Sequence, residues 1–534
     1  ADFDFILIGG GHNALICGAY LAKSGERTLV LERRSRVGGG AISEEVTVPG
    51  FLHNLHSAFH RYVPDLPWYK DLELGRFGVR YYQAEIQNML PTSDGRCLVI
   101  HRDYQTSVKK IARFSERDAK TYADIYPRWR TIAQRYLLPE MYAPPMRETE
   151  KFVLWERTPE GRELVRLSRM SVIDVAKETF EDPHLRALVL YYVAVKGWDW
   201  EDPGLGFQAV MSTVGAERAG ICIGGSGQLT HGLLSALVAY GGLALTGRTV
   251  AEILVEGGRA VGVRTSDGET FKASKGVISA LTPQQTFLQL LDGARCLDAK
   301  ILDAVKNFKY SQWKLFGGHL ALNEPPRYKA AAFDPDIDRA VNLCIGYETL
   351  EDFYAHLKAL RAGKPPEKPG MQCGVFTLYD SSQAPPGKHT ALMWQVAPFD
   401  LADGGPARWD EIKNEYLETC IVRWRHYAPN LHEKNILGKA TYTPYDIARS
   451  VVNMVEGDFN AGAMIRSQAL DNRPVPELSG YKTPVEGLYL TGSSTHPGGL
   501  LTGGPGYNTA RVIHEDLGLK LWWEPPDLQN LWGA

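Results

Sequence analysis

Apolar runs and glycine-rich turns alternate from the first residues of this chain. Asp4–Ile8 reads D-F-I-L-I, an unbroken apolar run that predicts a strand buried on both faces. The turn Gly9-Gly10-Gly11-His12-Asn13-Ala14 follows at once, and Leu15 to Ser24 then carries a helical pattern that stops at Gly25. A second apolar run, Thr28–Leu31, closes on Glu32. Between 248 and 280 the period changes to two. Thr249–Glu256, Ala260–Ser266 and Glu269–Ala273 are separated by Gly257-Gly258 and Asp267-Gly268, which predicts paired hairpin strands before a further strand at Val277–Ala280. Near the far end, Gly487–Gly492 reads as a short strand. A glycine-dense stretch to Asn508 and a helix from Tyr507 to about Leu517 come after it.

The first of these patterns is G-x-G-x-x-A placed between strand and helix, with an acidic residue 23 positions after Gly9. Gly9 permits the tight turn, and Gly11 lets a pyrophosphate approach the backbone. Ala14 is small enough for helix and strand to pack closely, and His12 and Asn13 sit in the phosphate turn itself. Free amides at the helix start, with the helix dipole, stabilise the phosphate charge. Glu32 is placed to accept both ribose hydroxyls and would repel a 2′-phosphate, which disfavours NADP. His12 is expected to order its loop rather than to catalyse.

The residues after Glu32 narrow the nucleotide. Arg33-Arg34-Ser35-Arg36-Val37-Gly38-Gly39-Gly40-Ala41 is a basic, glycine-rich turn that resembles the second motif of the glutathione-reductase-like FAD proteins, where it abuts the phosphates. At the other end, the glycines from Gly492 and Ser493 to Gly503, Gly504 and Pro505 would let a flat ring lie against backbone, with a helix N-terminus aimed at it. That arrangement would stabilise negative charge on a reduced flavin. The segment Gly487–Gly499 with Thr502–Asn508, together with both N-terminal motifs, is similar to the phytoene desaturase-like FAD oxidoreductases of the flavin amine oxidase superfamily. The block Gly224–Leu229 matches that family moderately, and little aligns over 76–214 and 301–440.

The resemblance implies FAD as cofactor, with Val250 beside the adenine and Ala280 on the strand returning to the nucleotide core. It also implies an α/β fold, with a Rossmann-type FAD-binding domain of the glutathione-reductase-like kind and a discontinuous α+β substrate domain. The expected division is 1–75, 215–300 and 440–534 for the cofactor, and 76–214 and 301–440 for the substrate. The Arg-, Lys- and Glu-rich helical spacing over 104–180 reads as a solvated face. Gly225-x-Gly227 lacks both a full preceding strand and a following acidic residue, so a glycine turn near flavin or substrate is expected there rather than a second dinucleotide site.

Composition adds mainly exclusions. At 534 residues with 44% hydrophobic and 23% charged positions, the chain suits a multidomain globular protein. A formal charge of −3 gives no reason to expect a nucleic-acid partner. Seven dispersed cysteines without a CxxC pair read as small buried hydrophobes, which fits a reducing compartment. The chain opens directly on a strand and no apolar run nears the roughly 20 residues that span a bilayer, so a cytoplasmic protein is expected. Trp522, Trp523 and Trp532 in the tail would suit a peripheral membrane contact, but no basic cluster accompanies them. Packing against the body or against a second protein chain is the expected role.

Candidate chemistry centres on histidines. His496 lies in the glycine turn beside the expected flavin, as base or as a donor to the ring. His53, His56 and His60 have the spacing of one helical face, but acidic partners for a metal are lacking and no metal is expected. His60 is a candidate at the substrate, Arg61 could hold a substrate carboxylate, and Tyr507 and Asn508 should touch flavin or substrate. The expected activity is oxidative desaturation of a C–C bond in a polyene precursor or a smaller cyclic or carboxylated compound. Electrons would pass to oxygen, a quinone or another acceptor. A flavin amine oxidase, a redox-neutral FAD isomerase and a non-catalytic flavin-binding interaction protein are the alternatives.

Overall fold

The computed structural model describes residues 2–215 and 219–533, so residues 216–218, within the second expected cofactor segment, lie outside the described residues. Two sheets organise the chain. The first is built on β1 (Phe3–Ile8), which pairs in parallel with β2 (Thr28–Leu31) on one side. β2 in turn pairs with β3 (Leu243–Leu245). On the other side β1 meets the end of β6 (Thr270–Ser279), which also carries β7 (Leu488–Leu490) in parallel. The first half of β6 runs antiparallel to β5 (Arg259–Thr265), itself paired with β4 (Val250–Glu256). The two runs expected at 269–273 and 277–280 are thus one strand. The apolar alternation lapses at Ser274–Gly276, where the strand leaves the hairpin to enter the parallel core.

Helix α1 (His12–Lys23) is buried from Asn13 to Ala22. A helix apolar on every side needs covering on every side, and two helices to which it packs lie far away in sequence. They are α3 (Gly227–Ala239), reaching it through Leu233, Ala236 and Leu237, and α5 (Gly504–Leu517), reaching it through Tyr507, Ala510 and Ile513. Gly18 makes the first crossing possible, since a Cβ there would already touch Leu237 and Val30 at 3.4 Å. The two ends of the chain are joined in one layer by this helix.

The second sheet has strands at 436–442, 314–322, 389–397, 371–374, 342–345, 86–91 and 97–101, in that spatial order. Its side chains alternate cleanly between faces. Met89, Phe316, Leu343, Cys373 and Met393 enter a core with α4 (Trp409–Tyr427). Their neighbours Asn88, Leu315, Asn342, Gln372 and Trp394 face a cavity on the opposite side. Helices between 104 and 215, including α2 (Pro183–Ala194), join that sheet through a third large cluster that takes in Trp313, Cys344 and Tyr347. No helix among the described residues is long and apolar enough to cross a membrane. All seven cysteines are free, and every one except Cys296 is buried.

Candidate active site

One cavity, of about 600 Å3, extends from the Gly9–Ala14 turn to the inner face of the second sheet. Gly9 holds φ +94, a conformation only glycine adopts cheaply, and Gly11 caps α1 with extended backbone. The second glycine motif packs directly on the first: the Gly38 amide donates to Gly10 O at 2.8 Å, and a Cβ at Gly39 would sit 3.2 Å from Gly11 Cα. Glu32 Oε2 accepts from the Gly10 amide at 2.8 Å and Oε1 from the Arg34 amide at 2.8 Å, which fixes the carboxylate at the rim of the turn. Gly9, Gly11 to Ala14, Glu32, Arg33, Gly39 to Ala41, Val250, Ala280, Gly492 and Ser493 all line the cavity.

Other expected residues do not. Arg36 turns outward to an ion pair with Glu44 and is half exposed. Gly38 serves the backbone contact with Gly10. Gly503, Gly504 and Pro505 are absent from the lining: a Cβ at Gly503 would strike the Trp68 indole, and one at Gly504 would meet Pro497 and Met141 O at 2.6 Å. Their smallness serves helix packing rather than ring contact. Tyr507 is buried edge-on to Tyr20 (5.5 Å) and Tyr142 (5.7 Å), and burial raises its phenol further, so it is core and not catalytic machinery. Asn508 donates to Met141 O and to the Tyr481 hydroxyl, behind the cavity wall.

His496 does reach the cavity. Its Nε2 lies 2.8 Å from Glu140 O, and a carbonyl can only accept, so Nε2 carries the proton. Burial lowers its pKa, and the neutral ring leaves Nδ1 as a buried acceptor without a protein partner among the described residues. The expected donor role is therefore lost and an acceptor role remains. Glu140 also forms a buried ion pair with Lys151 at 2.6 Å, which locks the carbonyl that orients the ring.

The three clustered histidines do not share a helix. His53–Asn54 and His60–Arg61 are short strands, and no group of three or more metal-ligating side chains occurs among the described residues. His60 has Tyr81 Oη 2.7 Å from Nδ1 and Ser57 Oγ and Ser226 Oγ within 3.2 Å of Nε2; burial takes its pKa to about 3. With both nitrogens engaged it braces the loop that presents Arg61, which lines the cavity. The Gly224–Gly227 turn has no amides to offer a second dinucleotide: they donate to Asp380 Oδ2, Cys222 O, Asn54 Oδ1 and Ser43 Oγ. The tail tryptophans face inward. Trp523 and Trp532 are buried, Trp522 stacks on Tyr20 at 5.0 Å, and Trp532 Nε1 donates to Arg135 O.

Several residues of the site carried no legible sequence signal. Arg473 is fully buried and donates to the carbonyls of Asn460, Gly462, Ala463, Gln468 and Ser493, tying the 460–468 loop to the 492–499 turn. On the second sheet Asn342 donates to Asn88 at 2.8 Å and accepts from Tyr191 Oη at 2.7 Å, beside Gln372. Lys196 enters from the end of α2; its one sequence signal is a charge that closes the apolar run Leu188–Val195.

A nucleotide and its ring system fit what is present. His12 Nε2, Asn13 Oδ1 and His496 Nδ1 are buried polar atoms at the cavity with no partner among the described residues, and such groups require one. Two glycine turns packed on each other, a carboxylate fixed at their rim and a chamber opening beyond them suit a nucleotide cofactor with a substrate beside it. The NAD(P)-binding Rossmann-like domain family matches residues 7–71. A limonene dehydrogenase polypeptide of Castellaniella defragrans is 31% identical over 98% of this chain and 96% of its own. Phytoene desaturase (lycopene-forming) of Paracoccus sp. is 26% identical over 66% of this chain and 67% of its own. Among solved structures, putrescine oxidase with putrescine bound has the same fold, with TM-score 0.59 at 15% identity, over 97% of this chain and 99% of that one. The chain belongs to the phytoene desaturase-like oxidoreductases, the family it shares with limonene dehydrogenase, and it has the fold of putrescine oxidase.

Proposed function

We propose that this protein is an FAD-dependent dehydrogenase that desaturates a C–C bond of a largely apolar substrate. One observation carries the reading: the cavity that begins at the phosphate turn continues, past His496 and Ser493, to the Trp394 and Gln372 face of the second sheet. Cofactor and substrate would share a single enclosed space. Gly9 to Ala14 and Glu32 would hold the adenosine half, with Gly39 to Ala41 beside the phosphates, and Gly492 to His496 would face the ring. The Gly10–Glu32 hydrogen bond favours a nucleotide with free ribose hydroxyls, because a 2′-phosphate would meet a fixed carboxylate. The bound flavin supplies the two-electron acceptor at its N5.

The chain's own residues then do the rest. Tyr192, Phe207, Met211 and Trp394 give the substrate an apolar wall that excludes water. Asn342, Gln372 and Arg61 supply the few polar contacts that orient it. His496 Nδ1 offers an acceptor at the junction of the two regions. The reading assigns 1–75, 215–300 and 440–534 to the cofactor and 76–214 and 301–440 to the substrate. Two relatives named as a dehydrogenase and a desaturase support the reaction class. Oxygen, a quinone or another acceptor would reoxidise the enzyme, since the amides of the Gly224–Gly227 turn are already taken.

The test is spectroscopic. Purified protein should carry one FAD, and anaerobic mixing with monocyclic terpenes, polyenes and cyclic carboxylates should bleach the flavin band with at least one of them. The product should be two hydrogens lighter. Bleaching by primary amines alone would instead establish an amine oxidase, and product without net bleaching an isomerase. Silence toward every class would leave a flavin-binding interaction protein.

A further inference from the structure

Lys196 lines the cavity. It follows α2 in a loop whose position is set from the cofactor side: Asn460 Nδ2 donates to Lys196 O at 2.9 Å, and the Asp199 amide donates to Met464 O at 3.0 Å. Asn460 is itself held against the flavin turn. Arg473 donates to Asn460 O at 2.9 Å and to Ser493 O at 2.6 Å, and a Cβ at Gly499 would lie 2.8 Å from Asn460 Cα. The loop at 196–199 and the turn at 492–499 are thus tied together, and Lys196 lines the cavity beside them.

The charged groups around Lys196 bear on its proton affinity. No carboxylate among the described residues lies within 4 Å of its Nζ, and the charged group that faces it is Arg61. In its own loop Asp199 accepts from the Glu201 amide, and in the facing loop Asp458 accepts from the Ser311, Asn460 and Gly462 amides. His60, beside Arg61, is neutral. A structural lysine is normally buried with a partner, as Lys151 is with Glu140. Burial and the nearby guanidinium instead bring Lys196 down to about 7, which keeps much of it as free amine near neutral pH.

We propose that Lys196 is the base that accepts the proton lost in the oxidation. The inference rests on the desaturation reading above. One substrate C–H bond breaks with its electron pair leaving as hydride to the bound cofactor. The neighbouring C–H bond breaks with its pair forming the new C=C bond, and the proton bonds to the Nζ lone pair. The resulting ammonium returns that proton to solvent before the next turnover.

Two measurements test this. Pulsed acetylation of the holoenzyme, read by mass spectrometry, should show Lys196 becoming reactive with a midpoint near pH 7, against about 10.4 for an ordinary lysine. In anaerobic rapid mixing, the limiting rate of flavin reduction should rise with pH to a plateau through the same midpoint. Lys196→Met, with its flavin retained, should lose about 100-fold or more of that rate and the pH dependence with it. If Lys196→Met fails to retain flavin, Lys196→Arg, which stays protonated, should show the same loss. Acetylation only above pH 9, no acetylation at any pH, or a variant that raises KM at an unchanged limiting rate would overturn the base. Failure of the wild type to be reduced by any compound would instead remove the desaturation reading, and this proposal with it.

Discussion

At the scale of single residues, the two glycines that meet beneath the cofactor site make different demands. Gly11 has φ −73, which any residue adopts, and a Cβ there would approach only Gly39 Cα, at 3.9 Å. Gly39 has φ +59 and its Cβ would press on Gly11 Cα at 3.2 Å. Gly11→Ala should thus fold with stability within about 0.5 kcal/mol of the parent, yet its methyl would stand where the pyrophosphate must approach. FAD affinity should fall at least tenfold, measured by titrating the apoprotein, with no change in its denaturation midpoint. Gly39→Ala should lower both. Equal losses of stability in the two variants would remove Gly11 from the phosphate site. The placement of Gly9, Gly11 and Glu32 around one turn was legible because spacing between strand and helix constrains it tightly. The places of Lys196 and Arg473 were not, since each acts through a partner loop more than 260 positions away or through carbonyls that sequence cannot locate.

Between elements, the errors of sequence reading have a common physical source. Spacing of three and four suggested a helix for His53 to His60, but strand pairing overrides local periodicity there: His53 with nearby Glu44, and His60 with distant Gly220. Gly503 to Gly506 looked like a bed for a flat ring, whereas their bareness admits Trp68, Pro497 and the end of α1. Glycine reports a close approach without saying what approaches. The tail is the testable case. Trp532 sits against Tyr136 and Trp155, at centroid distances of 6.2 and 5.3 Å. Trp532→Ala should cost about 3–5 kcal/mol in chemical denaturation while leaving FAD affinity unchanged, and the wild type should not sediment with anionic vesicles. An unchanged midpoint together with vesicle binding would mean that the tail leaves the body and works at a membrane.

Across the whole molecule, the site exists because two sheets of different logic face one chamber. The Rossmann sheet was readable because its strands are unbroken apolar runs with glycine turns at their ends. The second sheet was hidden because its strands come from six separated stretches and alternate between α4 and a lined cavity, so no single run announces them. A chamber of this kind also buries titratable groups. His12, His53 and His56 are brought to about 4 and His60 to about 3 by burial, all from an ordinary value near 6.5. Their folded-state pKa values are depressed, so between about pH 6.5 and 4 the unfolded chain binds more protons than the folded one, and stability falls as pH falls through that window. Each histidine contributes up to about 1.4 kcal/mol per pH unit. The thermal midpoint of the holoenzyme should be steady above pH 7 and should drop steeply from pH 6 to pH 4.5. Because His60 has hydroxyl partners on both nitrogens, His60→Gln should make that drop shallower while lowering the midpoint at pH 7.5. A midpoint that stays flat down to pH 4.5 would show that these rings are solvated, and that the chamber wall to which His12, His56 and His60 contribute is open.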